Sequence, residues 1–253
     1  MYQDYNTQMN RKVLIILATV LLSNLGLANG LEGVYQVIIK KQQEKQKQRW
    51  TLLDWLGTKK KMALMDQWLA LNSSSSSLFE FSLAASKGDL DFSDSSGVRE
   101  KAMERFSSSL YMRFFGLSFL KERLGSELES TNFQANLILL GSSNQSTNIQ
   151  LYYGIRKLEY LGAELSPHYW GARANLYLLP FVGGFYDYRM YRSSSESSFS
   201  TSGGDRHEFG GFLEVLLFRF KASVFREGLN FSGPRIAGRP SWNGLLLGAE
   251  LFF

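Results

Sequence analysis

The stretch NGLLLGAELFF at residues 243–253 decides the fold class, because its polarity alternates with a period of two residues. Successive side chains of a β-strand point to opposite sides, so the pattern predicts a strand with one apolar face and one mixed face. The mixed face includes Gly244, Gly248 and Glu250. The apolar face carries Leu245, Leu247, Ala249, Leu251 and Phe253.

Two further segments, residues 148–156 and 172–178, alternate in the same way. Segments of about ten residues with alternating polarity, separated by polar turns, are typical of a transmembrane β-barrel. The sequence therefore predicts an all-β fold, an antiparallel transmembrane barrel whose apolar face meets lipid and whose polar face lines the interior.

Ten strands account for residues 78–253, and an eight-stranded closure is the alternative. Four short turns fall on one rim, and the other rim has longer connections at about 87–105, 123–130, 158–168, 193–205 and 232–241. A soluble β-sandwich or lipocalin-like barrel would alternate equally well. Aromatic residues near the strand ends, such as Trp170, Tyr188 and Trp242, favour the membrane, where they would form girdles. The predicted strands are roughly 78–86, 106–113, 115–122, 131–140, 147–157, 169–179, 181–192, 206–218, 220–230 and 242–253.

The final strand, which ends on the apolar face at Phe253, resembles the last strand of bacterial outer-membrane β-barrel proteins. The resemblance covers about residues 78–253 and implies an outer-membrane location. It also implies that the barrel-assembly machinery reads the apolar face of the last strand as a signal. The residues of that implied signal are Leu245, Leu247, Ala249, Leu251 and Phe253.

The segment before the barrel is basic. Residues 1–28 have a positive start, a ten-residue apolar run at 13–22 and small residues near Ala28, which predicts an export signal peptide cleaved after Ala28 or Gly30. Residues 31–72 hold eight bases against four acids, and predict an amphipathic helix that lies on an anionic surface, docks to a partner or packs on the protein itself. A Ser-rich linker follows at 73–77.

Composition removes several classes of function. The chain has no Cys, which excludes disulfides, Cys-ligated metals and a thiol nucleophile, and its two His make a multi-His metal site untenable. Residues 73–253 hold eighteen bases and eighteen acids, so a basic nucleic-acid-binding surface over the main body is disfavoured. We expect no cofactor and no nucleic-acid partner.

The alternation also predicts which charges lie inside the barrel. Five acids and five bases fall on the interior face, so we expect a neutralised network that fills a narrow lumen, with a small pore or ligand tunnel as the alternative. The predicted interior network is Glu80, Arg113, Arg156, Arg173, Asp187, Arg189, Glu208, Glu214, Lys221 and Glu250.

Catalytic candidates are sparse. Asp205 and His207 share one side of a strand, and a carboxylate there could orient an imidazole as a general base. With Asp89 and Asp91 they resemble the acid–base couples of omptin proteases, although the acid pair falls in the first long loop. A lipid-modifying barrel hydrolase would need a Ser near a His, which directs attention to the pair Ser166 and His168. Solvated loop residues explain all of these patterns, so we expect no enzyme.

The sequence thus predicts an integral outer-membrane protein with a structural, surface-exposed or envelope-anchoring role. A narrow pore for small solutes and an outer-membrane hydrolase are the alternatives. The expected partners are outer-membrane lipid, the barrel-assembly machinery, and a periplasmic, cell-wall or inner-leaflet partner for residues 34–72.

Overall fold

The computed structural model of the protein describes residues 39, 40, 43, 51, 79–94, 97–126, 128–141, 143–160, 163–196, 199–232 and 239–253. The chain divides into two units, residues 1–43 and 44–253, and the sheet lies in the second. The predicted signal peptide at 1–28 and linker at 73–77 lie outside the described residues. Of the predicted helix at 31–72, the described residues are Ile39, Lys40 and Gln43, which are helical, and Thr51.

Twelve β-strands follow, and two of them, β6 and β9, are only three residues long. The strands are β1 (Phe79–Asp94), β2 (Gly97–Met112), β3 (Phe115–Leu124), β4 (Leu128–Leu140), β5 (Asn148–Tyr160), β6 (Ala163–Leu165), β7 (His168–Leu179), β8 (Val182–Tyr191), β9 (Ser194–Glu196), β10 (Phe199–Val215), β11 (Phe218–Ser232) and β12 (Ser241–Phe252).

The ten long strands close into an antiparallel barrel. Each long strand pairs with the next long strand along the chain, and β12 pairs back onto β1, for example Ala85 with Ala249. The short strands β6 and β9 extend the pairing at the edges of β5 and β10. The predicted fold class and strand number are confirmed, and the eight-stranded alternative is wrong.

The two mouths of the barrel differ. Short turns at 113–114, 141–147, 180–181 and 216–217 lie at one mouth, which we name the short-turn end. Arg113 and Leu216 take positive φ angles there, of 53° and 56°. Residues 95–96, 125–127, 161–167, 192–198 and 233–240 connect strands at the opposite mouth, which we name the hairpin end.

The predicted long connections are wrong in one respect: most of their residues are strand. The segment predicted as the loop 87–105 forms the parts of β1 and β2 that lie toward the hairpin end, which we call the upper parts. They are paired from Lys87 with Glu104 to Asp94 with Gly97. Eight residues of β1 beyond Ser86, at about 3.3 Å each, make a projection of roughly 26 Å. The hairpin of β1 and β2 is therefore long, and its strands continue well into the segment predicted as a loop.

The outer wall is apolar near the short-turn end and charged near the hairpin end. On β1 the outward residues Phe79 and Phe81 are 53% and 38% exposed, whereas Lys87 and Asp91 occupy the outward positions farther up. Exposed apolar side chains of this kind recur on the other long strands, including Leu117, Phe133, Leu151, Phe220 and Leu247. We name this zone the apolar belt, and such a belt is the outer surface that a membrane-spanning barrel presents to lipid.

Two glycines make room for large rings inside the wall. A Cβ at Gly171 would meet the ring of Tyr152 and the backbone oxygen of Tyr188, and a Cβ at Gly154 would meet the ring of Tyr169. Because glycine has no Cβ, these two rings lie flat against the neighbouring strands. Tyr152 and Tyr169 then stand 6.2 Å apart, edge to face, in the lumen.

Candidate functional site in the barrel lumen

The charges in the middle of the lumen form a connected network. Glu122 of β3 is 1% exposed and accepts hydrogen bonds from Arg105 at 2.9 Å and Arg206 at 2.8 Å. Its other oxygen lies 3.7 Å from the guanidinium of Arg156. These arginines come from β2, β10 and β5, so one carboxylate joins strands on opposite walls.

Two more carboxylates complete this upper cluster. Glu208 accepts hydrogen bonds from Arg105 at 2.8 Å, from Arg206 at 3.1 Å and from the hydroxyl of Ser223 at 2.9 Å. Glu227 is 1% exposed and accepts a short hydrogen bond from Arg156. Buried charges are tolerated when they are paired and hydrogen bonded, and these groups meet that condition.

A second cluster lies toward the short-turn end. Arg219 of β11 donates to Glu214, and its Nη2 is 2.5 Å from that carboxylate, while Nη1 is 3.5 Å from Glu250. Lys221 lies 2.5 Å from Glu250, and the hydroxyl of Tyr177 donates to Glu214. The inward residues of β10, β11 and β12 are thereby joined.

A third group lies on β7 and β8. Arg173 donates to Asp187 at 2.7 Å, and the hydroxyl of Tyr152 donates to the other oxygen of Asp187 at 2.7 Å. Asp187 is 2% exposed, while the side chain of Arg173 keeps 33% of its surface exposed.

Arg189 is the exception in the network. It is 1% exposed, yet no carboxylate of the described residues lies within 4 Å of it. Its guanidinium makes only long hydrogen bonds, 3.4 Å to Asn132 and 3.5 Å to Gln134, and its Nε has no hydrogen-bond partner there. The ring of Tyr169 lies 4.4 Å from the guanidinium and supplies a cation–π contact.

The turn at 141–147 folds into the lumen and closes the short-turn end. Its described residues 143–146 are at most 7% exposed. Glu80 accepts a hydrogen bond from the backbone N–H of Asn144 at 2.9 Å, and Asn148 donates to the backbone oxygens of residues 143 and 146. Gly141, with φ of 96°, permits the inward bend. We name this segment the plug turn.

The hairpin end is closed by apolar side chains. Phe92 stacks on Trp242 with ring centres 6.0 Å apart, and Tyr160 stacks on Phe231 at 5.5 Å. All four are at most 4% exposed. We name the cluster the apolar cap, which comprises Leu90, Phe92, Met103, Leu124, Leu128, Leu158, Tyr160, Leu165, Leu229, Phe231 and Trp242.

A cavity of ≈ 120 Å³ lies within the charged part of the lumen. One wall is lined by serines of β1, β2 and β3, among them Ser86, Ser107 and Ser118. Charged side chains of β2, β7, β8, β10, β11 and β12, including Arg189 and Lys221, line much of the remaining wall. The lumen thus combines closed ends with a small polar chamber.

The structure places nine of the ten predicted interior charges within the lumen. The exception is Arg113, which is exposed in the turn between β2 and β3. Its positive φ takes the chain out of the strand, so the alternation that assigned it to the interior ends one residue earlier, at Met112.

Sequence reasoning missed several members of the network. Glu227 shares a face of β11 with Lys221, and Arg206 shares a face of β10 with Glu208, so the alternation of these strands could have found both. No charge on β3 is among the predicted interior residues, so Glu122 has no such neighbour. Arg219 falls in the predicted turn between the strands 206–218 and 220–230, and Arg105 falls in the predicted loop 87–105. The missed residues are Arg105, Glu122, Arg206, Arg219 and Glu227.

The predicted acid–base pair lies on the outer wall. Asp205 Oδ2 is 3.2 Å from His207 Nε2, and the other ring nitrogen is hydrogen bonded to Tyr186 at 2.7 Å. Arg239 donates to Asp205 at 2.7 Å. Asp91 shares a row of the sheet with His207, but β11 and β12 lie between them. Three strand spacings separate the two by roughly 14 Å, so the structure does not unite Asp89 and Asp91 with His207.

The second candidate pair is not joined either. His168 stacks on Tyr153 with ring centres 5.8 Å apart, and its Nδ1 is hydrogen bonded to the Tyr153 hydroxyl at 3.0 Å. Ser166 and His168 share no hydrogen bond in the described part of the chain.

The residues of the predicted assembly signal lie on the lipid-facing side of β12. Leu245, Leu247 and Phe253 are 52%, 57% and 46% exposed, Ala249 is also exposed, and Leu251 is half-buried. Phe253 packs on Phe81 of β1 at 5.8 Å, at the seam where the barrel closes.

Clusters of metal-binding residues and membrane-spanning helices are both absent from the described ranges. No group of three or more His, Cys, Asp or Glu residues in those ranges could hold a metal ion. No helix among those residues is long and apolar enough to cross a membrane.

Comparison with known proteins adds solved structures of similar shape. No protein-family model matches the sequence, and no curated protein matches it. The neisserial surface protein A, NspA, has 16% identity and a TM-score of 0.33, with 69% of this chain and 97% of that chain covered. Ail, the attachment invasion locus protein of Yersinia pestis, solved with the heparin analogue sucrose octasulfate, has 10% identity and a TM-score of 0.26, covering 70% and 100%.

A third similar structure is the translocator domain of the autotransporter NalP from Neisseria meningitidis. It has 10% identity and a TM-score of 0.31, with 74% of this chain and 94% of that chain covered. At these TM-scores the similarities carry no argument about the present chain. Its own strand pairing and its apolar belt define it as a ten-stranded barrel of the membrane-spanning kind.

Proposed function

We propose that the protein is an integral outer-membrane barrel of a Gram-negative bacterium with a structural, surface-exposed or envelope-anchoring role. The observation that carries the proposal is the combination of an apolar belt outside with a lumen closed inside. The plug turn, the charged network and the apolar cap follow one another along the lumen.

The orientation of the barrel in the membrane follows from the difference between its two ends, with short turns at one and long hairpins at the other. In single-chain outer-membrane barrels the short turns face the periplasm and the longer connections face outward. The hairpin end, where the strands carry exposed ion pairs, would then project from the cell. These pairs include Lys121 with Glu129 at 2.7 Å and Lys157 with Glu164 at 3.0 Å. The hydrogen bond that Lys121 donates lowers the pKa of Glu129, as expected of a solvated ion pair.

The proposal has four further parts, which rest on the sequence, on exposure and on the geometry of the candidate catalytic residues. The exposed face of β12 would carry the signal for barrel assembly, and outer-membrane lipid would cover the apolar belt. Residues 34–72 would meet a periplasmic, cell-wall or inner-leaflet partner. The chain would have no enzymatic activity, which is supported by the separation of Asp91 from His207 and by the pairing of His168 with Tyr153.

The proposal is tested by fractionation and conductance. We expect the protein in the outer-membrane fraction, migrating faster on gels before boiling than after it. In planar bilayers we expect no stable conductance steps, because the lumen is closed at three levels. A soluble periplasmic product would overturn the membrane assignment. Regular conductance steps would favour the alternative of a narrow pore.

A further inference from the structure

The wall of the luminal cavity carries more positive than negative charge. Three carboxylates line it, namely Asp187, Glu208 and Glu250. The remaining carboxylates of the network, Glu122, Glu214 and Glu227, do not line it. Glu122 and Glu214 lie directly behind this wall, hydrogen bonded to Arg105, Arg206 and Arg219, so five carboxylates face six cations and the excess is one positive charge. The six cations are Arg105, Arg173, Arg189, Arg206, Arg219 and Lys221.

The cation that makes no ion pair among the described residues is Arg189. Arg189 is buried with no carboxylate of the described residues within 4 Å, although Asp187 and Glu122 interact with it electrostatically over a longer distance. A buried cation is costly unless a counter-charge is near. Arg105 also has a buried Nη2 without a hydrogen-bond partner in the described residues. Two further cations, Arg173 and Lys221, keep 33% and 31% of their side-chain surface exposed although they belong to the lumen.

The opposite wall supplies neutral hydroxyl groups rather than carboxylates. Serines of β1, β2 and β3 line the cavity. Ser82 and Ser109 are hydrogen bonded to each other and Ser118 accepts from Asn136, which leaves the hydroxyls of Ser86 and Ser107 to donate to an oxyanion. Guanidinium groups bind phosphate and sulfate oxygens in a bidentate manner, which suits the cationic wall. The volume of ≈ 120 Å³ is well below the roughly 300–1,000 Å³ of pockets for drug-sized ligands, so the occupant must be small.

We propose that the cavity is a binding site for one small oxyanion of the phosphate or sulfate class, held by Arg189 and the cationic wall against the serine wall. The anion supplies the directly bonded counter-charge that Arg189 does not have among the described residues. It would be a built-in part of the folded barrel, independent of what the outer surface binds.

The test compares the thermal unfolding midpoint of the full chain, refolded in detergent micelles, in phosphate and in chloride at equal ionic strength, with sulfate as a second probe. A ligand that binds only the folded state raises this midpoint. We expect a higher midpoint in phosphate or sulfate for the wild type and no such rise for Arg189→Met. Arg123→Met removes an exposed guanidinium of the outer wall and should keep the rise.

A second variant guards against loss of folding. Gln134→Glu is nearly isosteric and places a carboxylate beside the Nη2 of Arg189, where Gln134 Oε1 now lies at 3.5 Å. We expect this variant to have a raised midpoint in chloride and to lose the response to phosphate. The proposal is overturned if the wild type shows no oxyanion-dependent rise, or if folded Arg189→Met and Gln134→Glu respond as the wild type does.

Discussion

Glu122 is the residue on which the upper charge cluster depends. Three arginines from three other strands lie within 4 Å of its carboxylate, and the side chain is 1% exposed. Water cannot replace the carboxylate at this depth, so the arginines would lose their main counter-charge if it were neutralised. Because each hydrogen bond needs its partner at a definite distance, a network of this kind fixes the separation between opposite walls of the barrel. Apolar side chains, whose contacts are not directional, would fix it less strictly.

Neutralising that residue gives the first prediction. Glu122→Gln keeps the shape of the side chain but leaves three buried guanidinium groups with one carboxylate fewer, and should lower the free energy of unfolding by about 3–5 kcal/mol. Urea unfolding of the refolded protein measures the change. Glu129→Gln is the matched control, because Glu129 is 38% exposed and paired only with Lys121 and Arg123. An exposed pair contributes about 0–1 kcal/mol. Equal effects of the two substitutions would contradict the structural role of Glu122.

At the scale of the element, β1 shows why the sequence predicted the strand only in part. Along its lower half the outward residues are apolar, as at Phe79 and Phe81, while Glu80 and Ser82 face the lumen. Along its upper half the pattern is reversed, with Lys87 outside and the apolar residues Leu90 and Phe92 of the cap inside. The phase of the alternation changes where the strand leaves the apolar belt. A prediction that requires apolar residues on the same face throughout therefore ends the strand near residue 86.

The candidate site was predictable to a similar extent. Alternation within a strand assigns a residue to the lumen, which is how Arg156, Arg189 and Glu250 were found from the sequence. It cannot tell which charges meet across the lumen. Arg206 and Glu122 are joined at 2.8 Å although 84 residues separate them along the chain. That contact depends on the stagger of all ten strands on closure, which no local pattern contains.

The hairpin of β1 and β2 gives the second prediction, since it should stand in water on the cell surface. The chain has no Cys, so a single introduced thiol reports one position. We expect Val98→Cys, at a residue 67% exposed near the tip of the hairpin, to react with a membrane-impermeant maleimide on intact cells. Leu117→Cys is equally exposed, at 66%, but lies in the apolar belt and should stay unlabelled until the membrane is dissolved. Labelling of Leu117→Cys on intact cells would contradict the apolar belt. Absence of labelling at Val98→Cys would contradict the orientation of the barrel.

At the scale of the whole molecule, the barrel joins two halves of opposite polarity in one continuous sheet. Near the short-turn end it is apolar outside and charged inside, and near the hairpin end it is charged outside and apolar inside. Each half satisfies a different solvent, lipid for the first and water for the second. The upper half therefore has the core of a soluble barrel, and this core closes the lumen of the membrane-spanning half.

The two-solvent arrangement gives the last prediction. Phe133, which is 61% exposed in the apolar belt, should tolerate arginine poorly, because a cation on the lipid face of a barrel is destabilising, by about 2–4 kcal/mol at the bilayer midplane and by less toward the interfaces. Val98→Arg, at an equally exposed position on the upper hairpin, should change the free energy of unfolding by no more than about 0.5 kcal/mol. Reversible urea unfolding in phospholipid vesicles measures both. If the outer wall near the short-turn end faced water instead, Phe133→Arg would be as harmless as Val98→Arg, and the membrane-spanning assignment of the lower half would be lost.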